Sequence, residues 1–184
     1  MTIVRAHHAM VFPTRFMLVA ATNPCPCGFA GVGDRCRCGE SELRRHRRRL
    51  SGPLLDRMDL LVNVERPTER ELRAPPAIDS ATGRSRVAAA RERQLARLEG
   101  SSARCNGEMD VRLARRHVTL EGEAERALAR AYALGALSAR GRHRVLRVAR
   151  TIADLEHRER VTSANVLTAL ALRQRGGAET ALAA

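Results

Sequence analysis

The segment Arg15-Phe16-Met17-Leu18-Val19-Ala20-Ala21-Thr22, closed by Asn23-Pro24, constrains the fold more than any other stretch of the chain. Apolar residues at successive rather than alternate positions suit a strand buried on both faces of a parallel sheet. Leu60-Leu61-Val62-Asn63-Val64 is a second run of the same kind. Two such strands cannot close a parallel sheet, which needs neighbours on both sides and cover on both faces. Residues 1–66 therefore read as the end of a larger α/β core. Between the two runs lie a Cys- and Gly-rich loop and a short basic helix expected from about Ser41 to Leu50. Ser41 is its candidate N-cap, although Arg44 three positions later gives no capping box.

Beyond this piece the pattern changes. Pro67, Pro75, Pro76 and Gly83 interrupt any regular period, so residues 67–83 read as a linker. Residues 84–175 read as a helical bundle, with helices expected over Arg84 to Leu98, Thr119 to Leu134, Ser138 to Glu156, and Thr162 or Ser163 to Arg173. Leu146, Ala149, Ile152, Ala153 and Leu155 fall on one face of the third of these. Gly176-Gly177 ends the last helix, and residues 176–184 form a tail. The expected fold class is α/β followed by all-α.

All 33 basic residues among the 184 are arginine, against 20 acidic ones, for a net charge of +13. Two causes fit this excess: an anionic partner such as nucleic acid or nucleotide phosphate, and a coding bias that favours arginine and alanine over lysine. With one Tyr, three Phe and no Trp, the chain cannot build an aromatic stacking platform for single strands. No segment has the length of apolar sequence that spans a membrane, and the start Met1-Thr2-Ile3-Val4-Arg5 lacks a secretory apolar stretch. A cytoplasmic location is expected.

Four of the five cysteines lie in a Cys-x-Cys pair, an eight-residue spacer and a second Cys-x-Cys pair: Cys25, Cys27, Cys36 and Cys38. Four thiolates at this spacing suit a closed structural zinc site, with no coordination position left for catalytic water. Reduced free cysteines and redox chemistry are the competing readings, and Cys105 stands apart. Arg44-Arg45-His46-Arg47-Arg48-Arg49 is the densest positive cluster. Arg44, Arg45, Arg47 and Arg48 suit contacts to nucleic-acid phosphates, which carry no base information, and equally suit a solvated helix face. The scattered histidines, His7-His8 among them, suggest no chemistry. Asp56 and Asp59 are read as partners of arginines rather than as a catalytic pair.

Three blocks in order carry a family resemblance: Phe16 to Gly28 (apolar run, Asn-Pro-Cys-Pro-Cys-Gly), Ser51-Gly52-Pro53-Leu54-Leu55-Asp56-Arg57, and Leu137-Ser138-Ala139-Arg140 with Arg144 to Leu155. From about Arg5 to Arg175 the chain resembles the magnesium-chelatase-like AAA+ ATPases of the competence-protein ComM type. The resemblance implies an incomplete AAA+ core followed by a helical lid. It places Asn23 at the sensor 1 position, which orients the attacking water. It makes Arg57 an arginine finger that acts on a neighbouring subunit's nucleotide, and it makes Arg140 the sensor 2 arginine, with Arg144 and Arg147 on the same helical face as alternatives. It further implies, for the complete protein, ATP and Mg as cofactors, DNA as partner, and a homo-hexameric motor that promotes branch migration during recombination.

No G-x-x-x-x-G-K-[ST] phosphate loop occurs, and the chain has no lysine. Without the groups that cradle and neutralise the phosphates, the chain alone is expected to hydrolyse no ATP. The leading reading is the C-terminal portion of such a motor. The alternative is a non-catalytic, zinc-stabilised module that binds DNA or docks on a complete ATPase. Metal insertion in tetrapyrrole synthesis fits less well, because the Cys-rich insert resembles the competence branch.

Overall fold

The computed structural model describes residues 1–5, 8–12, 16–49 and 52–173. Arg15, Leu50, Ser51, Gly176-Gly177 and the tail, on which parts of the sequence reading fall, lie outside the described residues. The chain divides into two compact units, Met1–Arg49 and Leu50–Ala184.

In the first unit, β1 (Thr2–Arg5) and β2 (His8–Val11) form an antiparallel pair in which Thr2 faces Val11 and Arg5 faces His8. Every residue of both strands is exposed. The buried strand expected over Phe16–Thr22 does not form: its backbone is irregular, and Phe16, Met17 and Val19 are 71%, 84% and 81% exposed. The reason is physical. A strand is stabilised by neighbours, and among the described residues none pairs with this run. Residues 60–64 also stay outside any sheet, with Val62 and Val64 exposed. The parallel sheet is thus replaced by one antiparallel ribbon among the described residues.

Helix α1 spans Glu40–Arg49, starting two residues earlier than a Ser41 cap implies. Gly39 occupies the entry instead. Its N–H donates to the Glu42 carboxylate at 3.0 Å, and its carbonyl accepts from the N–H groups of Glu42 and Leu43. Glu40 and Glu42 in the first turn, and four basic residues in the last, match the helix dipole at both ends.

The second unit contains α2 (Gly52–Leu55), α3 (Glu69–Arg73), α4 (Ser80–Arg97), α5 (Val111–His117), α6 (Gly122–Ala133), α7 (Ala139–Leu155) and α8 (Ser163–Ala171). The expected linker is interrupted by α3, which Thr68 and Glu71 close with a reciprocal capping box. Helix α4 starts inside the same stretch, because the Asp79 carboxylate accepts from Thr82 N–H at 2.7 Å and caps it before Arg84. Helix α6 opens at Gly122 rather than Thr119. Leu120 pairs with Val161 in an isolated parallel bridge, and Val161 exchanges backbone hydrogen bonds with Thr119 and Glu121. Ser138 and Thr162 cap α7 and α8 as expected, accepting from Gly141 and Asn165 N–H.

Ala124, Leu128, Val145, Ala149, Ala153, Val161, Val166 and Ala169 form the core between α6, α7 and α8. The alanines let α7 approach its neighbours closely, while Leu146 and Ile152 pack at the rim. Leu98, Ala103, Met109 and Ala114 form a second cluster. A buried polar centre ties α4 to α7. Asp154, fully buried, accepts from Arg97 (3.0 Å), Arg150 (3.0 Å) and Asn106 Nδ2 (2.7 Å). Arg150, 1% exposed, also donates to the carbonyls of Arg158 and Glu159 and so fastens the turn after α7.

Candidate functional site

In the first unit the loop after Pro24 folds the two Cys-x-Cys pairs onto each other. Gly28 and Gly31 adopt φ of +82° and +83°, a region only glycine enters freely, and allow the chain to reverse twice. The four Sγ atoms of Cys25, Cys27, Cys36 and Cys38 lie within 4.8 Å of one another. Cys25 is 3.3 Å from Cys27 and 3.9 Å from Cys36, and Cys27 is 3.7 Å from Cys36. A tetrahedral zinc site with Zn–S bonds of about 2.3 Å spaces its sulfurs by about 3.8 Å, so the cluster fits the ion. The Ala30 N–H donates to Cys25 Sγ at 3.3 Å, and the Arg35 guanidinium sits 4.4 Å from the Phe29 ring centroid and steadies the loop.

The electrostatics point the same way. Hydrogen bonds from the Phe29 and Arg37 backbones, and from the Cys25 thiol, lower the Cys27 thiol to about 6. Cys38 is pushed up to about 12: a Cys27 backbone hydrogen bond favours its thiolate, but the Cys27 and Cys25 side chains and burial outweigh it. Cys36 is raised too, its favourable Cys38 backbone hydrogen bond being overcome by burial and the neighbouring sulfurs. A cluster that holds one thiolate easily and resists the next is one that a dication relieves.

Asn23 is exposed, and its carbonyl accepts from His46 Nε2 of α1 at 2.9 Å. With Cys25, Glu42, Arg45, His46 and Arg49 it lines an open hollow. On α1, Arg45 and Arg48 are exposed, Arg44 pairs with Glu40 at 2.8 Å, and Arg47 is half-buried. The helix thus offers fewer unengaged cations than its sequence does.

In the second unit Arg57 is exposed on the turn after α2, whose backbone closes through Arg57 N–H to Leu54 O (2.9 Å) and Met58 N–H to Leu55 O (3.0 Å). Arg144 of α7 donates to the Arg57 carbonyl at 2.6 Å and to Asp59 at 2.8 Å, and Arg147 donates to Asp59 at 3.0 Å. Arg173 donates to the Met58 carbonyl at 2.9 Å and lies 3.4 Å from Asp56. Asp56 and Asp59 therefore do pair with arginines, as the sequence suggested, but with arginines of the bundle. Arg140 is exposed in the first turn of α7. Sequence reasoning passed over Arg173, for which spacing alone carried no signal.

The chain matches the family described as magnesium chelatase, subunit ChlI, over residues 1–72, and its C-terminal counterpart over residues 77–173. This chain belongs to the magnesium-chelatase-like family of the ComM type. Among curated relatives of this ChlI-like chain, an uncharacterized protein of Mycobacterium tuberculosis is 41% identical over 165 residues, 90% of this chain and 33% of the relative. The uncharacterized protein YifB of Escherichia coli is 37% identical over 171 residues, 92% of this chain and 33% of its own length. Competence protein ComM of Haemophilus influenzae is 34% identical over 173 residues, 93% of this chain and 33% of its own. The ChlI-like chain spans about a third of the length of these relatives. No described helix is long and apolar enough to cross a membrane.

Proposed function

We propose that this chain is the C-terminal portion of a ComM-type AAA+ ATPase whose complete form is a cytoplasmic homo-hexamer that uses ATP and Mg to move branched DNA during recombination. The observation that carries this reading is the exposed Arg57, on a turn held to the helical lid, within a chain matched to the ChlI family over most of its length. Asn23 orients the attacking water through its side-chain amide. Arg57 stabilises charge on the phosphoryl group of a neighbouring subunit, and Arg140, exposed in the first turn of α7, reaches the phosphates of its own, since Arg144 is engaged by Asp59 and the Arg57 carbonyl. Cys25, Cys27, Cys36 and Cys38 hold a structural zinc, which would fix the loop beside Asn23. Arg45 and Arg48, with Arg44 and Arg47, contact DNA phosphates. The name of the Haemophilus influenzae relative, a competence protein, supports the link to incoming DNA.

A phosphate loop must come from elsewhere, since the sequence has neither the motif nor a lysine. The test is ATP turnover with branched DNA, comparing the chain alone with the chain mixed with a homologous N-terminal half that carries the loop. Turnover only in the mixture, abolished by Arg57→Ala, is the expected result. Turnover by the chain alone, or a mixture indifferent to Arg57→Ala, refutes the assignment.

The second reading, a zinc-stabilised binding module without catalysis, is favoured by the four-sulfur cluster and the exposed Arg45 and Arg48. It is distinguished by salt-sensitive DNA binding together with a mixture that never turns over ATP.

A further inference from the structure

The turn that carries Arg57 is held from distant parts of the chain. Helix α2 is four residues long, and the two backbone hydrogen bonds to Leu54 and Leu55 close the turn without anchoring it. Its anchorage comes from residues 85 to 117 positions away. Arg144 and Arg147 reach in from the N-terminal half of α7, and Arg173 from just beyond α8, with Leu61 N–H bonding to Leu172 O at 2.7 Å on the same side.

Two features separate this from ordinary surface ion pairing. First, the guanidinium groups bond to the main-chain carbonyls of Arg57 and Met58 as well as to the carboxylates of Asp56 and Asp59. A carboxylate contact neutralises charge, whereas a carbonyl contact fixes the path of the backbone. Second, the arginines are largely withdrawn from water, at 19%, 14% and 12% side-chain exposure for Arg144, Arg147 and Arg173. Burial lowers the Arg173 pKa, against the opposing pull of Asp56. The Asp59 and Asp56 carboxylates stay partly open to water, so the withdrawal lies on the guanidinium side, which loses less to side-chain freedom than in a fully exposed pair.

We propose that Arg144, Arg147 and Arg173 are positioning residues for Arg57: the lid grips the turn on both sides of that arginine and sets the direction in which its side chain is presented. The proposal rests on the reading of Arg57 as a finger for a neighbouring nucleotide and adds what aims it. The orientation of Arg57 then follows the orientation of the lid within its own chain. Asp59 is the central element, since one carboxylate oxygen accepts from both Arg144 and Arg147.

The experiment is amide hydrogen exchange, read by mass spectrometry on the full chain, for the parent, Asp59→Asn, Arg144→Gln, Asp59→Glu and the surface control Arg126→Gln. Peptides covering residues 54–61 should exchange about tenfold faster in Asp59→Asn and Arg144→Gln, the order expected for losing a hydrogen bond to a charged group. Peptides from α6 and α8 should stay within about twofold of the parent, Asp59→Glu should recover most of the protection, and Arg126→Gln should match the parent. Unchanged exchange at 54–61, or equal acceleration throughout α6 and α8, overturns the proposal. In the mixture with a phosphate-loop half, Asp59→Asn should lower kcat for ATP with KM unchanged, and should add nothing once Arg57→Ala is present. Additive losses overturn the positioning role. Should the parent mixture be inert, the assigned function fails, and the exchange result still decides the clamp.

Discussion

His46 Nε2 lies 2.9 Å from the carbonyl oxygen of Asn23, joining the last turn of α1 to the end of the apolar segment that no sheet holds among the described residues. Because that segment has no strand partner among the described residues, this bond and the adjoining cysteine loop are what locate Asn23. A single neutral hydrogen bond contributes about 0.5–1.5 kcal/mol. His46→Ala should therefore speed amide exchange by roughly fivefold over residues 22–30, where the Gly28 and Ala30 N–H groups bond to Cys25, with the Cys25–Cys38 loop unaltered in its zinc content. Unchanged exchange there would mean that the loop alone places Asn23.

Zinc should bind with a stoichiometry of one ion per chain, and each of Cys25→Ser, Cys27→Ser, Cys36→Ser and Cys38→Ser should weaken it. The proton count is sharper. The Cys36 thiol is raised and Cys38 pushed up to about 12, so both carry protons near neutrality, while Cys27 at about 6 is largely thiolate already. Ligation requires thiolates, so zinc addition at neutral pH should release at least the protons of Cys36 and Cys38, and affinity should rise with pH. A weakly buffered indicator titration measures this. Zinc uptake without proton release would show that the ion sits elsewhere.

Asp154 offers the largest single effect on stability. It accepts from Arg97, Arg150 and Asn106 with no exposure to water, so Asp154→Ala leaves Arg150 charged, buried and short of a counter-ion. Breaking a buried pair from one side costs about 3–5 kcal/mol. Urea unfolding should show a loss in that range, whereas Arg126→Gln on the exposed face of α6 should cost under about 0.5 kcal/mol. Equal losses for the two would show that the polar centre holds nothing together.

How much of this was legible in the sequence depended on whether the deciding interaction was local. The Ser138 and Thr162 caps are set by residues three positions away, and the Ala149 and Ala153 stripe is set by helical period, so both could be read directly. The four cysteines could be gathered because their spacing is short. The Thr68-x-x-Glu71 capping box is equally local, but it closes a helix of only five residues among prolines that interrupt any regular period. Helix α5 carries little signal in the sequence, because Val111–His117 is short and arginine-rich, with Asp110 as its N-cap. The Phe16–Thr22 run has the composition of a buried strand, yet burial is supplied by partners, and none pairs with it among the described residues. The start of α6 and the grip on Arg57 depend on Val161, Arg144, Arg147 and Arg173, each tens of residues distant, so no window of sequence contained them.

Binding to duplex DNA should be salt-dependent and carried unequally by α1. Arg45 and Arg48 are exposed, whereas Arg44 is engaged by Glu40 at 2.8 Å. Each phosphate neutralised contributes about 0.9 to the slope of log affinity against log salt. Arg45→Gln with Arg48→Gln should reduce the slope by about 2, and Arg44→Gln by less than about 1, in fluorescence anisotropy titrations across salt concentrations. Binding that ignores salt, or a slope unmoved by the double variant, would remove α1 from the interface.

The helical unit should lose stability on mild acidification, and the sign follows from two histidines. His143 is held below its ordinary value of 6.5 by burial and by Arg147 and Arg144, opposed by its hydrogen bond to the Asp110 backbone and by the Asp110 charge, and its Nε2 is buried with no hydrogen-bond partner among the described residues. His117 is lowered by burial, Arg116 and Arg97. Both stay neutral in the folded chain at a pH where the unfolded chain takes up protons. Stability is therefore constant above about 6.5 and falls as pH drops below it. Asp79 and Glu71, the cap carboxylates, are lowered by hydrogen bonds from Thr82 and Thr68 respectively. Their contribution is present above the ordinary carboxylate values of 3.8 and 4.5 and is lost only below them, which separates the two windows. Urea midpoints taken between about pH 7.5 and 5.5 should decline for the parent and flatten for His143→Gln combined with His117→Gln. A parent midpoint that rises on acidification would mean that the imidazolium of His143 finds a partner.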